Sequence, residues 1–355
     1  MVEINYQTVD NTAKIEIPEK LIFGKVFTTH VFEMDYDAAL GWYNPTIKKF
    51  SNLSLSPGAL VLHYGQAIFE GLKAYKQVNG QIAMFRPDKN LERLNNSARR
   101  VCIPEIDVEF VLEALKELIK IDKDWIPTKP GYSLYIRPLV FATDPMLGVR
   151  PADQYKFIIM LCPVGPYYPE GFKPVPIMVT DKYVRAVRKG VGDCKTAGNY
   201  AASLMAQRDA RNEGYTQVLW LDAIELKYIE EVGTMNIFIR FKDEVATPTL
   251  SGSILPGVTR LSVLQLLRDW KYNINERLIS LKEVVDSYDK GELIEIFGTG
   301  TAAVISSVSK LKYNDKILQF SDTDAGELGT KLYQAITDIQ YGRTEDPYGW
   351  MTIVQ

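Results

Sequence analysis

A segment rich in proline and glycine near the middle of the chain restricts the fold more than any other sequence feature. Residues 163–174 contain four prolines and two glycines. Proline has no N–H group to donate and a fixed φ angle, so this segment is predicted to extend neither a helix nor a central strand. With 355 residues and roughly 150 residues per domain, we predict a first domain over 1–165, a linker over 166–174 and a second domain over 175–355.

Both predicted domains mix strands with helices, which indicates an α+β fold. Asn79-Gly80 lies between two strand patterns at 73–78 and 81–86 and is typical of a type I′ hairpin turn. Asp88 is a candidate N-cap for the helix that follows, and Gly214 is a candidate C-cap for a helix over 198–212. The other predicted elements are strands at 132–142, 156–162, 175–181, 216–222, 228–232, 235–241 and 293–297, and helices at 108–121, after Pro256-Gly257, and at 325–339.

Histidine is scarce, with His30 and His63 the only two in the chain. This count argues against a zinc enzyme and against a Ser-His-Asp hydrolase, so we predict no metal site. Cys102, Cys162 and Cys194 form no CxxC pair, which fits a reducing compartment. The 41 basic and 44 acidic residues form no long blocks, so we expect neither nucleic acid nor a membrane as a partner. Without a signal peptide or an apolar run of ~18 residues, a cytoplasmic protein is expected.

Three segments of small residues in the second half could present backbone N–H groups to an anion. Residues 297–303 match GxGxxA but precede no βαβ unit, so a tight turn is favoured over a dinucleotide site. Residues 254–260 place Pro256-Gly257 at a helix start, which suits either a phosphate or an ordinary N-terminus. Residues 190–200 resemble a P-loop only superficially, because Lys189 and Cys194 occupy the two positions where that pattern requires glycine. They leave Lys195 as either a solvated lysine or an enclosed nucleophilic amine.

Two adjacent carboxylates, Glu230 and Glu231, end a predicted strand before residues 232–236. If strand alternation turns Glu231 inward, its carboxylate needs a cationic partner, and a protonated pyridine nitrogen is one such partner. An acidic strand end on the surface is the alternative.

Considered together, these segments resemble the branched-chain amino acid aminotransferases, which are pyridoxal-phosphate (PLP) enzymes of fold type IV. The likeness runs from residue 23 to residue 350. It implies a two-domain fold type IV, like that of D-amino acid aminotransferase, with PLP at the domain interface. The motifs that carry it are, in chain order, YGQAIFEGLKA at 64–74, YIRP at 135–138, Lys195 with GNY at 198–200, EVGTMN at 231–236, LPGVTR at 255–260, GTGTA at 298–302 and DIQYG at 338–342.

The resemblance implies roles for the residues that match the cofactor site. Lys195 matches the lysine that binds PLP covalently and moves a proton between the substrate Cα and the cofactor C4′. Glu231 matches the carboxylate that keeps the pyridine nitrogen protonated, and Tyr200 matches the tyrosine that hydrogen-bonds the phenolic oxygen. Arg93, which the helix pattern alone places on the surface, matches a phosphate ligand. The other implied cofactor contacts are Thr234, Leu255, Val258, Thr259 and Thr301.

The resemblance also implies a substrate pocket that takes both apolar and acidic side chains. Tyr135 and Arg137 match the group that accepts the second carboxylate of glutamate. Val149 matches a loop residue that the other subunit contributes, which implies a homodimer. The matching pocket walls are Phe69, Tyr64, Tyr167 and Thr234, and Thr301 and Ala302 match the residues whose amides bind the α-carboxylate.

The implied reaction is ping-pong transamination of L-leucine, L-isoleucine and L-valine with 2-oxoglutarate, which yields branched-chain 2-oxo acids and L-glutamate. A D-amino acid aminotransferase or an aminodeoxychorismate lyase would share Lys195 and Glu231, but the string at 135–137 favours the branched-chain family. A nucleotide-dependent dehydrogenase and a non-catalytic PLP-binding protein are further alternatives. Ala303 and Ser306 replace the CxxC of the eukaryotic enzymes, so thiol regulation of that kind is expected to be absent.

Overall fold

The computed structural model describes residues 3–9, 17–166 and 172–354, which divide into two compact units. The first contains the described residues up to 166 together with 194–197 and 338–354, and the second contains 172–193 and 198–337. Within these described ranges, no helix is long and apolar enough to cross a membrane.

Short runs of strands and helices follow one another through the described residues. The strands are β1 (Asn5–Gln7), β2 (His30–Asp37), β3 (Gly41–Lys49), β4 (Ala67–Phe69), β5 (Leu72–Lys76), β6 (Ile82–Phe85), β7 (Ser133–Ala142), β8 (Gln154–Val164), β9 (Val175–Thr180), β10 (Gln217–Leu221), β11 (Ile229–Val232), β12 (Met235–Phe241), β13 (Val245–Pro248), β14 (Ile274–Arg277), β15 (Leu293–Gly300), β16 (Val304–Tyr313), β17 (Lys316–Gln319) and β18 (Met351–Ile353). The helices are α1 (Leu60–Tyr64), α2 (Pro87–Arg100), α3 (Val108–Ile121), α4 (Ala197–Ala202), α5 (Leu204–Asn212), α6 (Val258–Asp269), α7 (Leu281–Asp289) and α8 (Glu327–Gln340), with a 3-10 turn at Lys123–Trp125.

The first unit is a mixed sheet with helices packed on one face. Its strands follow the order β1-β3-β2-β8-β7-β5-β6-β18, and β4 lies beside β7. Leu91 and Leu94 of α2 and Leu115 and Leu118 of α3 pack into the same buried cluster as Ile136 of β7. The predicted helix over 108–121 and the central position of β8 are confirmed. The side chains of the alternate residues of β7 therefore project from the opposite face of the sheet.

Three local predictions in this unit are wrong in detail. The hairpin between β5 and β6 forms, but only Gly80 of its turn is left-handed, at φ 87°, so the turn is not type I′. Helix α2 begins at Pro87 rather than after Asp88, because proline has no N–H and favours the first helical position. Strand β8 continues through Pro163, beyond the predicted end at residue 162. Its pairing with β2 ends at Met160, so no N–H group is needed at Pro163 on that side.

The second unit is another mixed sheet, in the order β11-β10-β9-β16-β15-β12-β13-β14, with β17 beside β16. Gly214 is left-handed at φ 82° and follows α5, as predicted for the end of that helix. The predicted single helix over 198–212 is instead split at Ser203, whose hydroxyl donates to the carbonyl of Tyr200 at 2.8 Å. The strand predicted at 293–297 extends to Gly300, since Gly298 pairs with both β12 and β16.

The two units differ from the predicted domains in two places. Residues 338–354 belong to the first unit because β18 pairs with β6. Residues 194–197 belong there too, because Thr196 forms a β-bridge with Ile68. Of the predicted linker, residues 167–171 lie outside the described residues.

Candidate active site

Lys195 is fixed by its backbone within the first unit. Its N–H donates to the hydroxyl of Ser97 at 2.9 Å, and its carbonyl accepts from the N–H of Phe69 at 3.0 Å. Its Nζ lies 4.8 Å from the centre of the Phe69 ring. The end of β4 and helix α2 therefore clamp the main chain, and the amine lies within cation–π range of an aromatic ring.

Arg93 is buried, so the surface position predicted from the helix pattern is wrong. It forms a bidentate pair with Glu70, with Nε donating to Oε1 at 2.7 Å and one terminal nitrogen to Oε2 at 2.9 Å. Asn90 also donates to Glu70 at 2.9 Å. Burial by itself would raise the pKa of Glu70, but Arg93, Lys195 and Asn90 hold that pKa below its usual value. Because Arg93 and Ser97 are four residues apart, both lie on the same face of α2.

Tyr135 and Arg137 alternate along β7 and project from the face of the sheet opposite the helices. A terminal nitrogen of Arg137 donates to the Tyr135 hydroxyl at 3.0 Å. The guanidinium carbon lies 4.7 Å from the centre of the Phe69 ring, the same ring that Lys195 contacts. A Cβ at Gly71 would lie 2.0 Å from the Tyr135 hydroxyl oxygen, so only glycine leaves room for it. The structure thus brings four predicted site residues together: Lys195 and Arg137 contact the Phe69 ring, and Tyr135 contacts Arg137.

Tyr64 and Val149 lie on the exposed side of the first unit. Tyr64 is half exposed, and its hydroxyl donates to the carbonyl of Leu147, in the loop that also carries Val149. Val149 is 83% exposed. Tyr167, the remaining predicted residue of this pocket, lies outside the described residues.

In the second unit, Glu231 is buried at the end of β11. Its Oε2 lies 2.5 Å from Nε of Arg185, and its Oε1 accepts from Asn236 at 3.1 Å. Glu230 is buried as well, so the alternative of an acidic surface strand end is wrong for both. Burial raises the pKa of Glu230, which accepts a hydrogen bond from the Ser253 hydroxyl.

Four of the predicted cofactor residues line one pocket in this unit. Tyr200, Glu231, Thr234 and Leu255 surround it together with Arg185. We refer to these five residues as the Glu231 pocket. Sequence reasoning missed Arg185, although a buried carboxylate requires a cationic partner and that requirement could have directed attention to the nearby arginines.

Asn236 connects the Glu231 pocket to the start of α6. Its side-chain amide donates to the carbonyl of Leu255 at 2.8 Å as well as to Glu231. A Cβ at Gly257 would lie 2.0 Å from its Oδ1, so the chain passes this amide closely. Gly257 caps α6 without any side-chain hydrogen bond, so backbone N–H groups of the first turn, which contains Val258 and Thr259, are oriented for an anion.

Residues 297–303 are a strand end and a turn, not an extended loop. Gly298 to Gly300 belong to β15, and residues 301–303 form the turn into β16. A Cβ at Gly298 would lie 2.8 Å from a methyl group of Val232, so close packing explains this glycine. Thr301 and Ala302 are half-buried at the turn.

Comparison with known proteins identifies the family. The family model described as amino-transferase class IV matches residues 67–311. This chain belongs to the class IV aminotransferases. It is 55% identical to branched-chain-amino-acid aminotransferase 2 of Bacillus subtilis over 95% of this chain and 93% of that protein. It is 53% identical to branched-chain-amino-acid transaminase 1 of the same organism, over 94% of each chain.

Solved structures of other aminotransferases share the fold of this class IV aminotransferase. The branched-chain amino acid aminotransferase of Escherichia coli superposes with a TM-score of 0.79 at 27% identity, over 92% of this chain and 100% of that one. The branched-chain amino acid aminotransferase of Thermobaculum terrenum, solved in its PLP form, gives a TM-score of 0.75 at 20% identity, over 93% of this chain and 99% of that one. The two-unit α+β structure is therefore fold type IV.

The residues of this class IV aminotransferase fit a pyridoxal-phosphate cofactor. The buried carboxylate of Glu231 suits a protonated ring nitrogen, and the Tyr200 side chain lines the same pocket. The N-terminus of α6 has no side-chain cap, which leaves donors for a phosphate.

Proposed function

We propose that this class IV aminotransferase moves the amino group of L-leucine, L-isoleucine and L-valine to 2-oxoglutarate, with PLP as its cofactor. The observation that carries the proposal is the contact of a single ring, Phe69, with both the Lys195 amine and the Arg137 guanidinium. A nucleophilic amine, an apolar surface and a carboxylate-binding cation then serve one pocket. The names of the Bacillus subtilis relatives support the choice of substrates.

When bound, PLP supplies the electron sink that makes the substrate Cα–H bond acidic. Lys195 would hold the cofactor covalently, and its amine would move the proton at the substrate Cα. Glu231, which Arg185 and Asn236 position, would hold the proton on the ring nitrogen. Tyr200 would donate a hydrogen bond to the phenolic oxygen of the cofactor.

The assignment of the phosphate and substrate residues rests on the resemblance. We assign the phosphate to Arg93, Val258, Thr259 and Thr301, and packing of the cofactor to Thr234 and Leu255. The substrate contacts assigned are Thr301 and Ala302 for the α-carboxylate, Phe69, Tyr64, Tyr167 and Thr234 for the side chain, and Tyr135 and Arg137 for the distal carboxylate.

A pocket that accepts both leucine and glutamate must neutralise a carboxylate without excluding an apolar chain. Arg137 lies over the Phe69 ring and donates to the Tyr135 hydroxyl, so its charge has a partial counterpart when an apolar substrate is bound. When glutamate is bound, the guanidinium offers charge-assisted hydrogen bonds to its carboxylate.

We further propose a cytoplasmic homodimer in which Val149 serves the site of the partner subunit. Its 83% exposure in the single chain fits a residue that is covered on assembly.

Half-reaction spectroscopy tests the proposed function. The purified protein, loaded with PLP, is mixed with each member of a panel of L- and D-amino acids without any acceptor, and loss of the visible absorbance of the cofactor is followed. We expect L-leucine, L-isoleucine, L-valine and L-glutamate to react and D-alanine to be inert. A protein that fails to bind PLP, or that reacts with D-amino acids only, would contradict the proposal.

A further inference from the structure

Asn236 is a buried amide that the proposed mechanism uses only to position Glu231. It lies in β12, and its side chain is 4% exposed. Burying an amide costs free energy unless its polar atoms are hydrogen-bonded. The partners of this amide therefore show what it holds in place.

The β-sheet register brings Asn236 beside Glu231. The two residues are directly opposite in the antiparallel pair of β11 and β12, so their side chains project from the same face. Nδ2 of Asn236 donates to Oε1 of Glu231 at 3.1 Å, and the other carboxylate oxygen lies 2.5 Å from Nε of Arg185. Because both neighbours are donors, the carboxylate is held as an acceptor in one orientation.

The same nitrogen of Asn236 also contacts the segment that leads into α6. Nδ2 donates to the carbonyl of Leu255 at 2.8 Å, so its two N–H groups serve one carboxylate and one carbonyl. A Cβ at Gly257, the residue that caps α6, would lie 2.0 Å from Oδ1 of Asn236. A shift of the chain at the start of α6 therefore has to move this amide, and with it the hydrogen bond that Glu231 accepts.

We propose that Asn236 couples the start of α6 to Glu231, so that a phosphate group at the helix and a protonated ring at the carboxylate strengthen each other's binding. The inference rests on the proposed function, and it adds a positioning residue to that site. A phosphate bound by the N–H groups of the first turn would fix residues 255–257 and the Asn236 amide, and Glu231 would then be preorganised for the ring. Coupling of this kind is reciprocal and typically changes affinity by roughly 5- to 150-fold.

Binding of a divided cofactor tests the coupling. The full chain, freed of PLP, is dialysed against pyridoxine, which has the ring but neither phosphate nor aldehyde, with and without inorganic phosphate at matched ionic strength. In the parent protein, saturating phosphate should lower the Kd for pyridoxine about tenfold, and saturating pyridoxine should lower the Kd for phosphate by the same factor. A parent protein without this mutual effect would overturn the inference before any variant is made.

Two variants and a matched control isolate the contribution of the amide. Asn236→Ala removes both hydrogen bonds, and Asn236→Ser keeps a hydroxyl that can donate to only one of the two oxygens. In both variants we expect phosphate to lower the Kd for pyridoxine by less than about threefold. Asn275→Ala removes an amide of β14, outside the Glu231 pocket, that donates to Glu244 at 2.6 Å, and it should retain the effect of the parent.

The effect of phosphate on the pyridoxine Kd, rather than either affinity alone, separates this role from a structural one. A variant that only loosens the fold binds both ligands more weakly and keeps the full phosphate effect, and that result in the Asn236 variants would contradict the inference. Direct attraction between the two ligands survives in the variants, so only the lost part of the effect belongs to Asn236. An enzyme without the coupling could still react with leucine, and the proposed function would then stand. Failure of every L-amino acid to react would instead remove the proposed function itself.

Discussion

The buried pair between Glu70 and Arg93 gives the sharpest test of the packing in the first unit. Glu70→Gln keeps the shape of the side chain but leaves the Arg93 guanidinium, 6% exposed, without its counter-charge. Breaking a buried pair by removing one partner typically costs about 3–5 kcal/mol. We expect about 3 kcal/mol here, since glutamine can still accept one hydrogen bond from Arg93.

A matched control lies on the same helix. Arg99 of α2 pairs with Glu105, and both side chains are about half exposed. Exposed pairs contribute roughly 0.2–1 kcal/mol, so Glu105→Gln should lower the free energy of unfolding by less than about 1 kcal/mol. Urea unfolding of both variants and the parent, each freed of PLP so that cofactor binding does not shift the transition, measures the difference.

The sign of the pH dependence follows from the lowered pKa of Glu70. A carboxyl whose pKa is lower in the folded state than in the unfolded state stabilises the native state at pH values above its unfolded pKa of about 4.3. It loses that contribution as the pH falls through its folded pKa. The difference between Glu70→Gln and the parent should therefore be full at pH 7 and shrink in acid. A loss at pH 7 no larger than that of Glu105→Gln would refute the reasoning.

Two further predictions concern the substrate and cofactor residues. Arg137→Met should lower kcat/KM for the glutamate half-reaction by about 100-fold and kcat/KM for the leucine half-reaction by less than about fivefold. The reason is that only the side chain of glutamate carries a carboxylate for the guanidinium to bind. Equal losses for the two substrates in stopped-flow measurements would count against the assignment. Gly257→Ala places a Cβ 2.0 Å from Oδ1 of Asn236, so we expect the Kd for PLP to rise about tenfold in equilibrium dialysis. Gly58→Ala, whose Cβ would meet its nearest atoms at 3.6 Å, is the control, and similar affinities in the two variants would contradict the role of this close approach.

The elements that the sequence predicted well depend on local signals. Helix α3 has a regular apolar stripe and an Asp107 side chain that accepts from the N–H of Phe110 at 3.0 Å, so both periodicity and capping fix its start. The strand predicted at 235–241 also matches its observed bounds. The ends that were misplaced depend on tertiary partners, as in the extension of β15 to Gly300 through pairing with β12 and β16.

The residues of the candidate site likewise divide into those with a local sequence signal and those that depend on tertiary partners. Lys195 and Glu231 belong to motifs of adjacent residues, so the sequence indicated them. Arg185 carries no such signal, because its partner Glu231 is distant in sequence. Arg93 shows the limit of periodicity, since a helical pattern cannot reveal that Glu70, 23 residues away, draws the guanidinium inward.

Peptide mapping after borohydride reduction tests the central claim most directly. The PLP-loaded protein is reduced, digested and analysed by mass spectrometry, with Lys195→Ala as the control. The account predicts a phosphopyridoxyl group on Lys195 alone, loss of the yellow colour on reduction, and no label in the folded Lys195→Ala variant. A label on another lysine such as Lys73, or a parent protein that carries no label, would contradict it.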